Sequence, residues 1–162
     1  IDIIKSWEGF VSFSDFDQMS LIDKDGLLIE TLNQIKIKSP ERITDENILF
    51  LSQSLLNVLL TTNNLIKRQE YAHAYQSLSN VQKYLLWLIR IVTNQTNHWE
   101  SPTKSLETDI DKDWYSKFRL TTSDLDKENL NIAFQNSLNL SKKLFDELDI
   151  ATDLKLLLNR IG

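Results

Sequence analysis

The sequence predicts a mainly α protein, an antiparallel helical bundle preceded by a short α/β segment. The 162 residues contain only three Gly and two Pro, so few positions interrupt a helix. After Gly26, apolar residues repeat at helical spacing over several long stretches. Before Gly26 the pattern alternates instead, as in the sequence FVSFS at residues 10–14, which favours strand.

The first 26 residues are predicted to form a different kind of structure from the rest. They hold two of the three Gly, and the sequence DKDG at residues 23–26 indicates a tight turn after a short strand at 20–22. A helix is expected over residues 27–38. It should end there because Ser39 precedes Pro40, and the residue before a proline avoids the helical region.

The helices after Pro40 follow from caps and periodicity. Thr44 can cap a helix whose first turn carries acidic residues, where the helix dipole favours them. The central helix has a wide apolar face that includes Tyr71 and Tyr75, and a later helix has a stripe that includes Ile132. The predicted helices are 44–67, 70–95, 113–118, 126–148 (capped by residues 122–124) and 153–160, with a loop at 97–104.

Composition excludes several classes of protein. A formal charge of −5 argues against a general nucleic-acid binder, and the absence of Cys excludes thiol catalysis and Cys-based zinc sites. The longest apolar run, residues 84–89, is far shorter than the ~20 residues that cross a bilayer. With no Cys and no visible signal peptide, we expect a cytoplasmic protein without membrane partners. Because Ile1 is not a start Met, we expect the chain to be a fragment, a processed form or a trimmed version of a longer protein.

Two acidic segments near the N-terminus could suggest metal chemistry. Asp15 and Asp17 lie two apart on a predicted strand, so they share a face and could hold Mg²⁺ against a triphosphate. Polymerase-type nucleotidyl transfer also needs a Gly-Ser turn ahead of such a pair, and none occurs before Asp15, so a turn or cap is the favoured role. The acidic residues at 23–26 are interpreted as a turn, because the following Leu27, Leu28 and Ile29 supply no calcium ligands.

A pair of tyrosines is the candidate ligand-binding feature of the helices. Tyr71 and Tyr75 are four residues apart, so they lie on one helix face, and the small Ala72 and Ala74 leave room beside them. Such tyrosines suit an amphipathic ligand, for example a sugar or an antibiotic. The alternative is that both rings pack at the edge of the core. For His73, the prediction is a hydrogen-bonded structural role.

Arg90 differs from the other basic residues, which are expected to be solvated. It follows an apolar run on the central helix, so we expect it to have a carboxylate or phosphate partner.

Seven segments of the chain resemble one enzyme family, and they occur in the family's order. Because unrelated segments match in sequence, the resemblance is specific; it covers nearly the whole chain and weakens after about residue 125. The matching segments are IKSWEG (4–9), VSFSDFD (11–17), LIDKDG (21–26), NLIKR (64–68), EYAHAYQSLS (70–79), QKYLL (82–86) and HWESPTK (98–104). In these segments the chain is similar to the lincosamide nucleotidyltransferases of the LinB kind.

This resemblance implies an enzyme that moves AMP from ATP onto a hydroxyl of lincomycin or clindamycin with the help of Mg²⁺. It also implies an N-terminal catalytic domain followed by a helical domain that helps to bind the drug. The family's Gly-Ser turn, its metal-binding carboxylates and its base are expected upstream of Ile1, so no catalytic or metal-binding residue is assigned here. Residues 1–26 would then be the end of the catalytic domain and residues 27–162 the helical substrate-binding and dimerisation domain, inactive alone.

Within that framework four residues are assigned to ligands. Tyr71 and Tyr75 would flank the drug, and Glu8 is the candidate carboxylate for a cationic drug amine. Lys104 is the candidate for the nucleotide phosphates, acting as a point charge. The alternative is that the tyrosines are core residues and Lys104 is solvated. A homodimer is expected from the resemblance and from the unpaired strand edge at 20–22.

A second functional hypothesis remains open from the sequence. The chain could be a non-catalytic helical binding or dimerisation module that partners a minimal nucleotidyltransferase domain. A metal-dependent helical hydrolase is disfavoured, because the helices carry no pair of acidic residues and His at ligand spacing.

Overall fold

The computed structural model describes residues 41–161, and Arg42–Gly162 form a compact unit. The predicted strand, turn and helix before residue 40 lie outside the described residues, as do Glu8 and the predicted boundary at residue 26. The described part contains helices and no strand, which confirms the mainly α prediction. The helices are α1 (Asp45–Lys67), α2 (Tyr71–Val92), α3 (Leu106–Asp109), α4 (Lys112–Arg119), α5 (Lys127–Glu147) and α6 (Thr152–Ile161).

Helices α1 and α2 form an antiparallel hairpin that begins where the sequence predicts. The Thr44 hydroxyl accepts a hydrogen bond from the backbone N–H of Asn47 at 3.2 Å, so the predicted cap is confirmed. The hairpin turn needs a left-handed residue, and Gln69 takes it with a φ of 61°. The N–H of Glu70 then donates to the carbonyl of Leu65 at 3.0 Å, which closes the C-terminal end of α1.

Helix α2 is the central helix of the bundle. It packs against α1, α4 and α5, and it buries apolar residues on more than one face. Leu78, Leu85 and Ile89 are among its buried side chains, as the wide apolar pattern predicts. Tyr75 is the exception, because its side chain is exposed although the pattern places it on the widened apolar face.

Helix α5 differs from the prediction in its cap and in one face residue. Asp126, rather than residues 122–124, is the cap, and its carboxylate accepts from the N–H groups of Glu128 at 2.8 Å and Asn129 at 3.1 Å. Ile132 was expected in the buried stripe, but 59% of it is exposed. The core position is filled instead by Phe134, which is 2% exposed. Because the two residues are two positions apart on a helix, they lie on nearly opposite sides of α5.

The connection between α2 and α4 contains more structure than the predicted loop. Helix α3 forms within it because Leu106 and Ile110 pack into the core. The C-terminal α6 is tied back to α1 by the Asn63 side-chain amide, which donates to the carbonyl of Ile161 at 2.6 Å. Within residues 41–161, no helix is long and apolar enough to cross a membrane.

Candidate functional site

The C-terminal end of α2 carries a fully buried arginine that donates four hydrogen bonds to the segment following the helix. The guanidinium of Arg90 is 0% exposed. Its Nε donates to the carbonyl of Pro102 at 2.9 Å, and its Nη2 donates to the carbonyl of Lys104 at 2.7 Å. Its Nη1 donates to the carbonyl of Gln95 at 2.9 Å and to the Asp109 carboxylate at 3.1 Å. The prediction of a carboxylate partner for Arg90 is therefore confirmed, and the backbone carbonyls were not foreseen.

Asp109 is shared between this arginine and a histidine. The same oxygen, Oδ2, lies 2.8 Å from Nδ1 of His98, which donates to the ionised carboxylate. The hydrogen bond from His98, followed by the one from Arg90, holds the pKa of Asp109 below its ordinary value, although burial acts in the opposite direction. Asp109 thus joins the end of α3 to the end of α2 as a carboxylate.

The segment held by Arg90 is buried on its inner side and exposed on its outer side. We call residues 93–105 the Lys104 loop. The N–H of Lys104 donates to the carbonyl of Ser101 at 2.8 Å, and Ser105 has a left-handed φ of 53°. Pro102 is buried, whereas Ser101, Thr103, Lys104 and Ser105 are exposed. The backbone of this loop is fixed while the Lys104 ammonium group points to solvent.

Two tryptophans support the other side of the loop. Trp87 of α2 stacks on Trp99 with ring centroids 6.0 Å apart, and its indole N–H donates to the carbonyl of Trp99 at 2.9 Å. Arg42 lies 5.4 Å from the Trp99 ring and forms an ion pair with Glu100 at 2.9 Å. These contacts anchor the loop before it reaches Pro102.

The two tyrosines lie at the opposite, N-terminal end of α2. Tyr71 is half-buried against the core, and Lys127 approaches its ring at 6.0 Å. Tyr75 is 43% exposed, so its ring is available to solvent. His73 is an exposed surface residue 3.6 Å from a carboxylate oxygen of Glu70, so the predicted hydrogen-bonded structural role is wrong.

The structure separates the tyrosines from Lys104. At about 1.5 Å of rise per residue, the Cα atoms of Tyr71 and Arg90 lie about 28 Å apart along α2. Because Arg90 binds the backbone of Lys104, the predicted drug contacts and the predicted phosphate contact belong to different ends of this helix. Glu8 lies outside the described residues. Residues 41–161 bring together no group of three or more His, Cys, Asp and Glu side chains that could hold a metal ion.

Comparison with protein families shows which family this helical unit belongs to. The family described as "Lincosamide nucleotidyltransferase-like, C-terminal domain" (LinB-like) matches residues 44–161. The chain belongs to this LinB-like family. The match begins at Thr44, the N-cap of α1, and ends at Ile161, the last residue of α6, so it spans all the described helices. The sequence resemblance to this family is thereby confirmed. A comparison with curated proteins gave no significant match.

Sequence reasoning missed Asp109 and His98 as partners in the LinB-like domain. The signal that could have found them was Arg90 itself, because a guanidinium at the end of a buried helix needs acceptors nearby. The polar segment that follows α2 was the nearest supply of such acceptors. Which carboxylate becomes the acidic partner of Arg90 depends on how the chain turns back at α3, and no local sequence pattern predicts that turn.

Proposed function

We propose that this chain supplies the helical C-terminal domain of a nucleotidyltransferase that transfers AMP from ATP to a hydroxyl of a lincosamide antibiotic. The observation that carries this proposal is the LinB-like family match across α1 to α6. In this proposal the Mg²⁺ ligands and the base come from a catalytic domain, and the helical domain binds substrates. Such a reaction inactivates the antibiotic and takes place in the cytoplasm, where ATP is available.

The drug is assigned to the N-terminal end of α2. Tyr75 has an exposed side chain, while the half-buried Tyr71, one turn earlier, is packed against the core. Tyrosine rings bind the apolar faces of sugars and pyrrolidines, and their hydroxyls bind polar groups. The proposed carboxylate for the cationic drug amine is Glu8.

The nucleotide phosphates are assigned to Lys104 at the other end of α2. Its side chain is exposed and its backbone is held by Arg90, so the ammonium charge is presented on a fixed loop. Because the two assignments occupy opposite ends of α2, mutations should separate them. A drug contact and a phosphate contact that are independent affect different Michaelis constants.

The test compares matched variants in the full reading frame that contains this chain. We expect Tyr75→Ala to raise KM for lincomycin and leave KM for ATP unchanged, and Lys104→Ala to do the reverse. Gln76→Ala, one residue from Tyr75, and Lys112→Ala, an exposed lysine of α4, are the controls and should change neither constant. If Tyr75→Ala instead lowers the melting temperature and leaves both constants alone, Tyr75 is a packing residue and the drug assignment is wrong.

Two further measurements address activity and assembly. We expect residues 1–162 alone to give no AMP-lincomycin with ATP and Mg²⁺, because the triphosphate charge would lack its metal-carboxylate site. Product formation by the purified chain would contradict this. We also propose a homodimer, and a monomeric mass by light scattering at high protein concentration would count against it.

A further inference from the structure

Most of the hydrogen bonds that Arg90 donates go to backbone carbonyls of the Lys104 loop rather than to side chains. Its guanidinium is fully buried, and three of its four acceptors are the carbonyls of Gln95, Pro102 and Lys104. Burying a charge is costly, and well-packed apolar residues often stabilise a fold equally well. A planar group with five donors in a rigid fork offers something an apolar residue cannot, because it fixes several carbonyls in one geometry.

The backbone on both sides of Lys104 is held in place. Its N–H is bonded to the Ser101 carbonyl, and its own carbonyl is bonded to Nη2 of Arg90 at 2.7 Å. The next residue, Ser105, takes a left-handed conformation that residues other than glycine rarely adopt. Such a conformation persists where the surroundings hold it.

The exposed side of the loop carries one positive charge that the loop does not itself neutralise. Between residues 99 and 105, Lys104 is the basic residue, and the acidic Glu100 is engaged by Arg42 at 2.9 Å. Ser101, Thr103 and Ser105 of the same loop are also exposed. An exposed lysine whose backbone is held, with hydroxyl-bearing residues close to it in the sequence, suits a phosphate group, because both kinds of side chain supply donors to an anion.

We propose that Arg90 and Asp109 are positioning residues, which set the loop conformation that presents Lys104 to the phosphates of the nucleotide. This inference rests on the role proposed for Lys104 above. Asp109 accepts from Nη1 of the guanidinium, and His98 donates to the same carboxylate oxygen. Neither Arg90 nor Asp109 is assigned a contact with the nucleotide.

The loop itself can be observed in the isotope-labelled 162-residue chain by NMR. We expect Arg90→Lys and Asp109→Asn to speed amide exchange at Lys104 by about tenfold, and to shift the Ser105 resonances away from left-handed values. Two variants are used so that the test still works if Arg90→Lys fails to fold, because Asp109→Asn keeps the guanidinium of Arg90. Ser77→Ala is the matched control, since it breaks the buried 2.8 Å contact between the Ser77 and Thr62 hydroxyls elsewhere along α2. It should lower the melting temperature without changing the Lys104 amide.

The consequence for anion binding is measured separately, with tripolyphosphate as the probe. We expect the native chain to show a saturable shift at Lys104, and the affinity to fall about three- to tenfold in Asp109→Asn and not in Ser77→Ala. If the loop amides of both Arg90→Lys and Asp109→Asn match those of Ser77→Ala, the positioning role is wrong. If the loop loosens but the native chain binds no tripolyphosphate, the loop is set by Arg90 as proposed, and the phosphate role of Lys104 is what fails.

Discussion

Replacing Arg90 by methionine tests how much the buried guanidinium contributes to the stability of the bundle. Methionine keeps the unbranched apolar stem, so the change removes mainly the hydrogen bonds and the charge. Removing one partner of a buried ion pair costs about 3–5 kcal/mol. Asp109 retains its bond to His98 and some exposure to water, so we expect a loss near the lower end, about 3 kcal/mol. That is a large part of the unfolding free energy of a typical domain, about 5–15 kcal/mol.

The assay is urea unfolding of the chain followed by far-ultraviolet circular dichroism. Arg119→Met is the control, because Arg119 is exposed at the end of α4, and it should change the free energy of unfolding by less than about 0.5 kcal/mol. Equal slopes of the free energy against urea concentration would show that both variants unfold as the native chain does. If the two variants differ by less than about 1 kcal/mol, water replaces the Arg90 donors at no net cost and the reasoning is refuted.

Three other changes test the remaining parts of the structure. Leu85→Ala removes a fully buried side chain of α2 and should lower the free energy of unfolding by about 2–5 kcal/mol. Ile132→Ala, on the exposed side of α5, should change it by less than about 0.5 kcal/mol. Equal losses in urea unfolding would contradict the orientation of α5. Asp126→Ala removes the N-cap of α5 and should cost about 1 kcal/mol, whereas no change in melting temperature would show that the cap is dispensable. The pKa of Asp109 is lower in the folded chain than its ordinary value of about 3.9. The ionised carboxylate therefore stabilises the folded state at pH values above about 3.9, and this stabilisation is lost as the pH falls through the pKa of the folded state. The melting temperature of the native chain should therefore exceed that of Asp109→Asn at pH 5, and the difference should shrink as the pH falls below the ordinary pKa of an aspartate; a difference that does not shrink would show that the charge of Asp109 is not its source.

Much of the helical architecture could be predicted from the sequence because its signals are local. The start of α1 follows from a Thr44 side chain that caps the N–H of Asn47 three residues away, and the central position of α2 follows from the width of its apolar face. Helix α3 was missed because it is a single short turn, held by the burial of Leu106 and Ile110 rather than by any periodicity. Ile132 is misplaced because periodicity alone leaves the edges of the buried face of α5 undefined; in the structure Phe134 is buried and Ile132 is exposed.

The candidate site was predictable only in part. The sequence singled out Arg90 as a cation in need of a partner, and it placed Tyr71 and Tyr75 on one helix. It could not show that Tyr75 is exposed while Tyr71 is half-buried, because burial depends on which neighbouring helices pack against each ring, as Lys127 of α5 does against Tyr71. It also could not show that Lys104 is held at the other end of α2 by a bond from Arg90 to its carbonyl.

The sequence by itself determined that this chain is a helical domain of the LinB-like family. Helix period, caps and breakers act over a few residues, and family motifs are read directly from residue order, so neither requires a folded molecule. Only the tertiary structure decided which acceptors surround Arg90 and hence the shape of the Lys104 loop. The physical reason is that a buried guanidinium donates to the carbonyls and carboxylates that the packed chain brings within about 3 Å of it. These acceptors are positioned only when α2, α3 and the Lys104 loop fold together.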